Sequence, residues 1–398
     1  MNAPSPRLRW AVLQDFREEG WHSMDLYAEQ VVKNLGKSGL AAVEAVAAAV
    51  DYRPRTVRIP ILGTTHLARN VDRMLNRHWD YGRYVKRFAR LEPSDVYHVV
   101  DHSYAHILLD LPSGRARTLV TCHDIDAFRC LVDAATDPRP WWFRGFAQRT
   151  LAGLRKADLV ACVSESTRTA MLGANLVPAS RLHVVPNGID EAFGGARDLA
   201  AEHRLDSLLG TLCPDFRSCW PELVHVGATI SRKRIDVLIE VAAAIRRRYP
   251  KMRLWKVGGR LQPGQVERAR GLGVWESIVE LPFMAASELA ALYRRADLVL
   301  QTSDSEGFGL PVAEATACGT PVLASDIEVL REVGGEAASY CQVGDVEAWT
   351  AEALKLLKEG QSESKERRAE RARGGSRWSW QAHVDRLVGL VTNGGAAV

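Results

Sequence analysis

Apolar and polar positions alternate along this chain in two separate series. In the first half, short apolar runs, RWAVLQDF, VYHVV, TLVTCHD and ADLVACVS, are separated by stretches of helical period such as SMDLYAEQVVKNL. Strands separated by helices predict a parallel, doubly wound sheet. A second series starts near residue 222. It runs ELVHVGA, the loop TISRKR, the helical IDVLIEVAAAIRRRY, the strand MRLWKVGG, a helix, SIVELPF, the helical ASELAALYRRA and DLVLQTS. A glycine-rich loop and helix, the strand TPVLAS and the helical VEAWTAEALKLLKE close it. The fold class expected is therefore α/β, with two Rossmann-like halves facing a cleft.

Between the two series, PNGIDEAFGGARDLAAEHRLDSLLGTLCPDF loses strand periodicity and gains Gly, Pro and Asp, the composition of a crossover. The expected organisation is a first domain at 1–190, a linker at 191–221, a second domain at 222–360 and a helical segment at 361–398 that packs back towards the first domain. Trp378 and Trp380 read as anchors of that last segment. Ser23 reads as the N-cap of the first helix, its hydroxyl accepting from a backbone N–H that the helix leaves unpaired.

Composition narrows the function classes. A chain of 398 residues, 46% of them hydrophobic, fits two domains of ordinary size. A formal net charge of +4 argues against nucleic acid as the main partner. The seven cysteines form no C-x-x-C pair, which points to a reducing compartment. No run of about eighteen apolar residues occurs. With no long apolar stretch at the N-terminus either, the expected location is cytoplasmic, with at most a peripheral contact at a membrane face.

In open parallel sheets, ligands bind beyond the carboxyl ends of the strands, so the loops there are where chemistry is sought. After DLVLQTS comes Glu306, then Gly307, Phe308, Gly309 and Leu310, with Pro311 near the start of a helix and Glu314 one turn in. Glycines let backbone N–H groups approach a ligand, and a helix N-terminus favours phosphate. Glu314 can accept hydroxyl hydrogen bonds from a ribose, and Glu306 faces whatever the phosphate carries. A sugar nucleotide has all three parts. Two surface glutamates flanking an ordinary strand-loop-helix turn are the simpler account, and the glycines between the pair weigh against it.

The stretch SDSEGFGLPVAEATACGTPVLAS, with its E-x7-E spacing, resembles the signature of the retaining, GT-B-fold glycosyltransferases of family 4. Residues 222 to 350 resemble that family's donor domain almost throughout, in VGATISRKRIDVLIE, KVGG, LPF, LYRRADLVLQTSDSEGFG and DIEVLREVGG. The first half is similar more loosely, in TLVTCHD, ADLVACVSEST and VVPNGID.

The resemblance implies roles for matching residues. Glu314 would hold the ribose, Glu306 would face the donor sugar, and Lys233 would pair with the diphosphate. The family commonly has arginine where this chain has Ala228, which leaves Arg232 or Arg234 to replace it. His123 matches a histidine beside the donor sugar; taken alone it reads as a strand-end histidine fixed by Asp124, and the other motifs beside it favour the sugar contact. His102 is a weaker acceptor-side candidate, in competition with His106 and Asp101. Gly20 and Trp21 stand where the family's first loop approaches the diphosphate and the acceptor. Gly258 and Phe283 occupy donor-domain loops bordering the nucleotide, with the Phe283 ring expected in the core ahead of any contact with the base.

The reaction implied is transfer of a sugar from a nucleotide diphosphate sugar to a hydroxyl of a carbohydrate or lipid-linked acceptor, with retention of configuration. It fits assembly of bacterial-type polysaccharide, lipopolysaccharide or glycolipid. No cofactor and no metal are expected, since fixed cations and a helix dipole can stabilise the leaving diphosphate. A sugar-nucleotide epimerase, or a non-catalytic sugar-nucleotide-binding protein of the same fold, is the alternative. The span 66–90 is basic, through Arg69, Arg73, Arg77, Arg83, Lys86, Arg87 and Arg90, with apolar Leu67, Met74, Leu75, Trp79, Tyr81, Tyr84 and Phe88 interleaved. Arg69, Arg73 and Arg77 recur every four residues and so share one helical face. Such a face suits anionic lipid, and it equally suits plain solvation.

Overall fold

In the computed structural model, residues 7–40, 42–58, 66–112 and 114–393 are described. The stretch 59–65, at the head of the basic region, and the six N-terminal residues lie outside them. The chain divides into two compact units, one formed by Met1–Pro186 with Trp380–Val398, the other by Asn187–Ser379.

The first unit is built on a six-stranded parallel sheet of β1 (Leu8–Leu13), β2 (Val43–Ala48), β3 (Val96–Val99), β4 (Arg117–Cys122), β5 (Leu159–Cys162) and β6 (Leu182–Val184). The spatial order is β2-β1-β3-β4-β5-β6. Because side chains alternate across a strand, each strand feeds two cores. Ala11, Leu13, Val99, Val120 and Val160 fill one. Trp10, Val12, Val96, Leu119 and Ala161 fill the other, together with Val384, Leu387 and Val388 of the helix Trp380–Thr392.

That last helix is also tied by polar groups. His383 donates from Nδ1 to the carbonyl of Pro186 at 2.8 Å. Its Nε2 is thereby left to accept from the Tyr27 hydroxyl at 2.9 Å. Trp380 packs edge-on against Tyr27, whereas Trp378 packs edge-on against Phe308 in the second unit. The segment 361–398 therefore does not act as one piece. Its helix Lys365–Gly375 belongs to the second unit and only the part from Trp380 onward joins the first.

The second unit repeats the architecture with β7 (Glu222–Val226), β8 (Arg253–Val257), β9 (Ile278–Leu281), β10 (Leu298–Gln301), β11 (Val322–Ser325) and β12 (Ser339–Cys341). The order is β12-β11-β10-β7-β8-β9, all parallel. Trp255 and Trp349 are completely buried here. The span expected to be a linker is instead integral to this unit. Leu199–Leu212 is a helix capped by Asp198, and its Leu205 and Leu209 are buried. Ser23 is not a cap either. The first helix, His22–Leu35, begins two residues earlier than a cap at Ser23 requires, with Trp21 at the N-cap and no side-chain bond there.

Each sheet has one place where strand order reverses, between β1 and β3 in the first unit and between β7 and β10 in the second. Loops that leave such a pair in opposite directions open a crevice at the strand ends. Gly20, Trp21 and His102 follow the first pair, Lys233 and Glu306 to Leu310 follow the second, and His123, Gly258 and Phe283 follow β4, β8 and β9.

Candidate active site

In the second unit, Lys233 follows β7 and Glu306 follows β10, on opposite sides of the reversal point. The two loops are laced together by backbone: the Asp304 N–H donates to the Arg232 carbonyl at 2.9 Å, and the Thr302 hydroxyl to the Lys233 carbonyl at 2.9 Å. The Glu306 side chain, 7% exposed, accepts four bonds. Lys233 Nζ at 2.5 Å, Gln301 Nε2 at 2.7 Å and the Ser303 hydroxyl at 2.7 Å reach Oε1, and Arg232 reaches Oε2 at 3.2 Å. Burial works against the charge of Glu306, but Lys233 and Arg232 outweigh it and hold its pKa below the usual carboxylate value. The site thus stores a fixed negative charge between two fixed cations.

Arg234 faces elsewhere, its guanidinium clasping Asp236 at 2.8 to 3.2 Å. Its backbone sits at φ 47°, in the left-handed region, to start the helix Ile235–Arg248. Of the two arginines considered in place of an arginine at 228, only Arg232 stands with Lys233 and Glu306.

Gly307 and Gly309 lead into the helix Leu310–Ala317, with Gly309 as its N-cap at φ 98°. The left-handed backbone favours glycine, and a β-carbon there would lie 2.5 Å from Leu330 Cδ2, so that methyl group would have to shift. The Phe308 ring points into the protein against Trp378 and is 4% exposed, so its contribution is packing. Leu310 opens the helix, and Glu314 is 7% exposed with its Oε2 accepting from the Tyr293 hydroxyl at 3.1 Å. Burial, opposed by that hydrogen bond and aided by Asp190, lifts the Glu314 pKa to about 7. Two glutamates eight positions apart therefore have opposite electrostatics: one kept charged, the other poised near neutrality.

Gly258 lies at φ 92°, and a β-carbon on it would come within 2.9 Å of the Gly227 carbonyl oxygen. Phe283, on the loop after β9, is 60% exposed, which corrects the expectation that its ring belongs to the core. Sequence reading passes over Lys256, which is completely buried in β8 with its ammonium under these loops. The available signal was a lysine between apolar Trp255 and Val257, in a strand whose other charge, Arg253, stands at its first position.

In the first unit, the His123 ring is 7% exposed and its Nε2 lies 2.8 Å from the Val100 carbonyl. A carbonyl only accepts, so Nε2 carries the proton and Nδ1 is left as an acceptor. Burial outweighs the opposing charge of Asp101, lowers the His123 pKa and keeps the ring neutral. His102 lies between two carboxylates, 3.3 Å from Asp101 and 3.4 Å from Asp124. Burial opposes its protonation, but Asp124 and Asp101 prevail and raise its pKa. His106 is turned away, with Nε2 on the Arg77 carbonyl. Gly20, at φ 71°, and Trp21, 52% exposed, close the loop that follows β1.

The basic region is only partly a free face. Arg73 and Arg77 both reach Glu19, and Arg77 also covers the Tyr104 ring at 4.3 Å. Asp72, wholly buried, accepts from the backbone N–H groups of Arg55, Thr56 and Val57. Tyr81 is core, and Tyr84 stacks on Phe88 at 5.8 Å. Leu67 and Trp79 remain exposed, together with Arg69, Arg83, Lys86, Arg87 and Arg90. Among the described residues no helix is long and apolar enough to cross a membrane, and one group of three side chains, Cys213, Asp215 and Cys219, brings ligand atoms within 4.8 Å. The Arg253 guanidinium is 3.2 Å from both Cys219 Sγ and Asp215 Oδ1, a poor neighbour for a cation.

Comparison with known proteins follows these two units. Residues 220–375 match the family described as glycosyl transferases group 1, and residues 27–193 match glycosyltransferase family 4. The D-inositol 3-phosphate glycosyltransferase of Rhodococcus erythropolis is 36% identical over 176 residues, 42% of this chain and 40% of that protein. The serotype-specific mannosyltransferase WbdA of Escherichia coli is 30% identical over 262 residues, 62% of this chain and 30% of that protein. The matches thus span less than half of either relative. The solved structure of Anabaena HepE in complex with UDP-glucose superposes with a TM-score of 0.70 at 16% identity, covering 97% of this chain and all of that one.

Proposed function

The chain belongs to the group 1 glycosyltransferases of family 4 and has their GT-B fold, and from that premise we propose that it moves a sugar from a nucleoside diphosphate sugar to an acceptor hydroxyl with retention of anomeric configuration. The observation that carries the proposal is the strand-end cluster in which Lys233 and Arg232 hold Glu306 beside the glycine turn leading to Glu314. Glu314 takes the ribose hydroxyls. Backbone N–H groups of Gly307 to Leu310, with Lys233 and Arg232, take the diphosphate, and Glu306 lies on the sugar side. His123 accepts from a sugar hydroxyl through Nδ1. The exposed Phe283 borders the base, with Gly258 and Gly20 allowing close approach of backbone. His102 and Trp21 are assigned to the acceptor.

In the reaction, the bond from the anomeric carbon to the diphosphate breaks, a bond to the acceptor oxygen forms, and the acceptor proton passes to the departing phosphate. No separate side-chain base is required. Cations held in place by Glu306 stabilise charge as it develops on the diphosphate, and on this reading no divalent metal takes part. A mannosyltransferase and an inositol 3-phosphate glycosyltransferase among the relatives support a hexosyl donor and a role in polysaccharide or glycolipid assembly. A cytoplasmic enzyme, touching an anionic membrane through 66–90, is in keeping with the acceptor class.

The test begins with thermal-shift screening against UDP-, GDP- and ADP-sugars, since a bound donor stabilises the folded state. Nucleoside diphosphate is then expected to be released only when an acceptor is present. An epimerase instead alters the donor without acceptor, and a binding protein leaves it intact. Glu306→Ala and Lys233→Ala are expected to abolish transfer in folded protein, and normal turnover in either overturns the assignment. An inverted anomeric centre in the product, read by NMR, overturns retention.

A further inference from the structure

β7 and β8 are parallel neighbours whose register pairs His225 with Lys256 and Val226 with Val257. Just beyond them, Gly227 donates to the Val257 carbonyl at 3.0 Å, and Gly258 approaches Gly227 too closely for a β-carbon. Beneath this contact lies the Lys256 ammonium. It reaches the carbonyls of Gly227 at 2.5 Å, Val257 at 3.0 Å, Gly259 at 3.4 Å and Gly258 at 3.5 Å. An ammonium has three N–H donors: the close carbonyls of Gly227 and Val257 take two, those of Gly258 and Gly259 share the third at longer range, and the four together surround the cation.

The cage has a consequence on its outer side. In a planar trans peptide, the C=O of one residue and the N–H of the next point in opposite directions. Drawing the carbonyls of Gly227, Gly258 and Gly259 inward therefore turns the N–H groups of Ala228, Gly259 and Arg260 away from the ammonium. Converging backbone N–H groups at strand ends are an anion-binding arrangement. Ala228 brings no side-chain charge to this loop, yet Lys233 passes close by, its Cε 3.5 Å from where a Gly227 β-carbon would be.

Resting on the donor-site reading above, we propose that Lys256 is a positioning residue for the donor diphosphate: its ammonium holds the Gly227–Ala228 and Gly258–Arg260 loops so that their N–H groups face the phosphates, and adds a buried positive charge behind them. The groups facing it are His225 on β7, Lys233 on the following loop and Glu280 on β9. Burial, then Lys256 and Lys233, holds His225 well below the usual histidine range, so it stays neutral. Burial, opposed by Glu280 and aided by Lys233, lowers the Lys256 pKa to about 8. The charge behind the loops is thus lost as pH rises through that value.

Lys256→Met, close in shape and uncharged, tests this by calorimetry with UDP, GDP and ADP, using whichever binds the wild type most tightly and its parent nucleoside as control. Loss of the loop geometry and one charge is expected to weaken the diphosphate about tenfold to a hundredfold and the nucleoside less than twofold. Wild-type affinity for the diphosphate is expected to decline between pH 7 and 9, and that decline to be absent in the variant. Equal weakening of nucleoside and diphosphate, or unchanged diphosphate affinity, overturns the inference. Should the variant not fold, a flat wild-type profile across pH 7 to 9 overturns it instead. Lys233→Ala separates the two readings: if it too leaves diphosphate binding unchanged, the donor site itself is misplaced; if only Lys256→Met is silent, this inference alone fails.

Discussion

Replacing Glu314 by glutamine removes an ionisable group from a site 7% exposed while keeping an oxygen for the Tyr293 hydroxyl. The carboxyl ordinarily titrates at 4.5 and here at about 7. The folded state therefore binds this proton more tightly than the unfolded chain, and stability falls as pH rises from 4.5 through 7. Above pH 7 the full cost of keeping the buried carboxylate ionised is present, about 3 kcal/mol. Glu314→Gln escapes that cost at every pH. The ligand-free variant is expected to be more stable than wild type at pH 8 by up to about 3 kcal/mol, which for a unit of this size raises its Tm by up to about 10 °C. The advantage should shrink steadily towards pH 4.5. Donor affinity moves the other way, because an amide accepts ribose hydroxyls less strongly than a carboxylate; about a tenfold loss is expected at pH 8. Wild-type donor affinity should itself decline below about pH 7 as Glu314 protonates. Calorimetric melts of both proteins at pH 5 and 8, with donor titrations, provide the check. A variant no more stable than wild type at pH 8, or equally favoured at both pH values, refutes the argument that burial sets this carboxyl.

Three further expectations follow from the geometry. Gly309→Ala places a methyl group 2.5 Å from Leu330 Cδ2 on a left-handed backbone and is expected to cost about 1 to 3 kcal/mol, measurable by urea denaturation; a loss below about half a kcal/mol contradicts the steric reading. His123→Ala removes one hydrogen bond to the donor sugar and should lower kcat/KM about tenfold, whereas binding of the bare nucleoside diphosphate stays unchanged; weakened binding of the diphosphate points to a structural role instead. Replacing exposed Leu67 and Trp79 by serine together should abolish co-flotation with anionic vesicles at moderate salt, and wild-type protein that does not float removes the membrane contact altogether.

The strand-loop-helix at 298–317 was legible from the chain because strand period, glycines and both carboxylates lie within one local stretch. Less was legible at the sheet margins. β2, VEAVAA, is rich in alanine, and β6 and β12 are three residues each, too short for an alternating pattern to stand out. The helix of the presumed linker was hidden by its Gly, Pro and Asp neighbours, and the cap expected at Ser23 gave way to one two residues earlier, at Trp21.

Local order along the chain thus determined two α/β halves and the loops in which chemistry belongs. Tertiary structure alone decided what each charged group does there. Glu306 is held ionised by a lysine 73 positions away. Glu314 is pushed towards neutrality by burial among residues distant in sequence. Arg77, on the expected basic face, is drawn onto Glu19 and Tyr104, and Lys256, in a strand that reads as plain core, is caged by four carbonyls. Backbone periodicity is a short-range property and shows in the sequence, whereas the charge and partners of a side chain depend on desolvation and on neighbours brought together only when the chain folds.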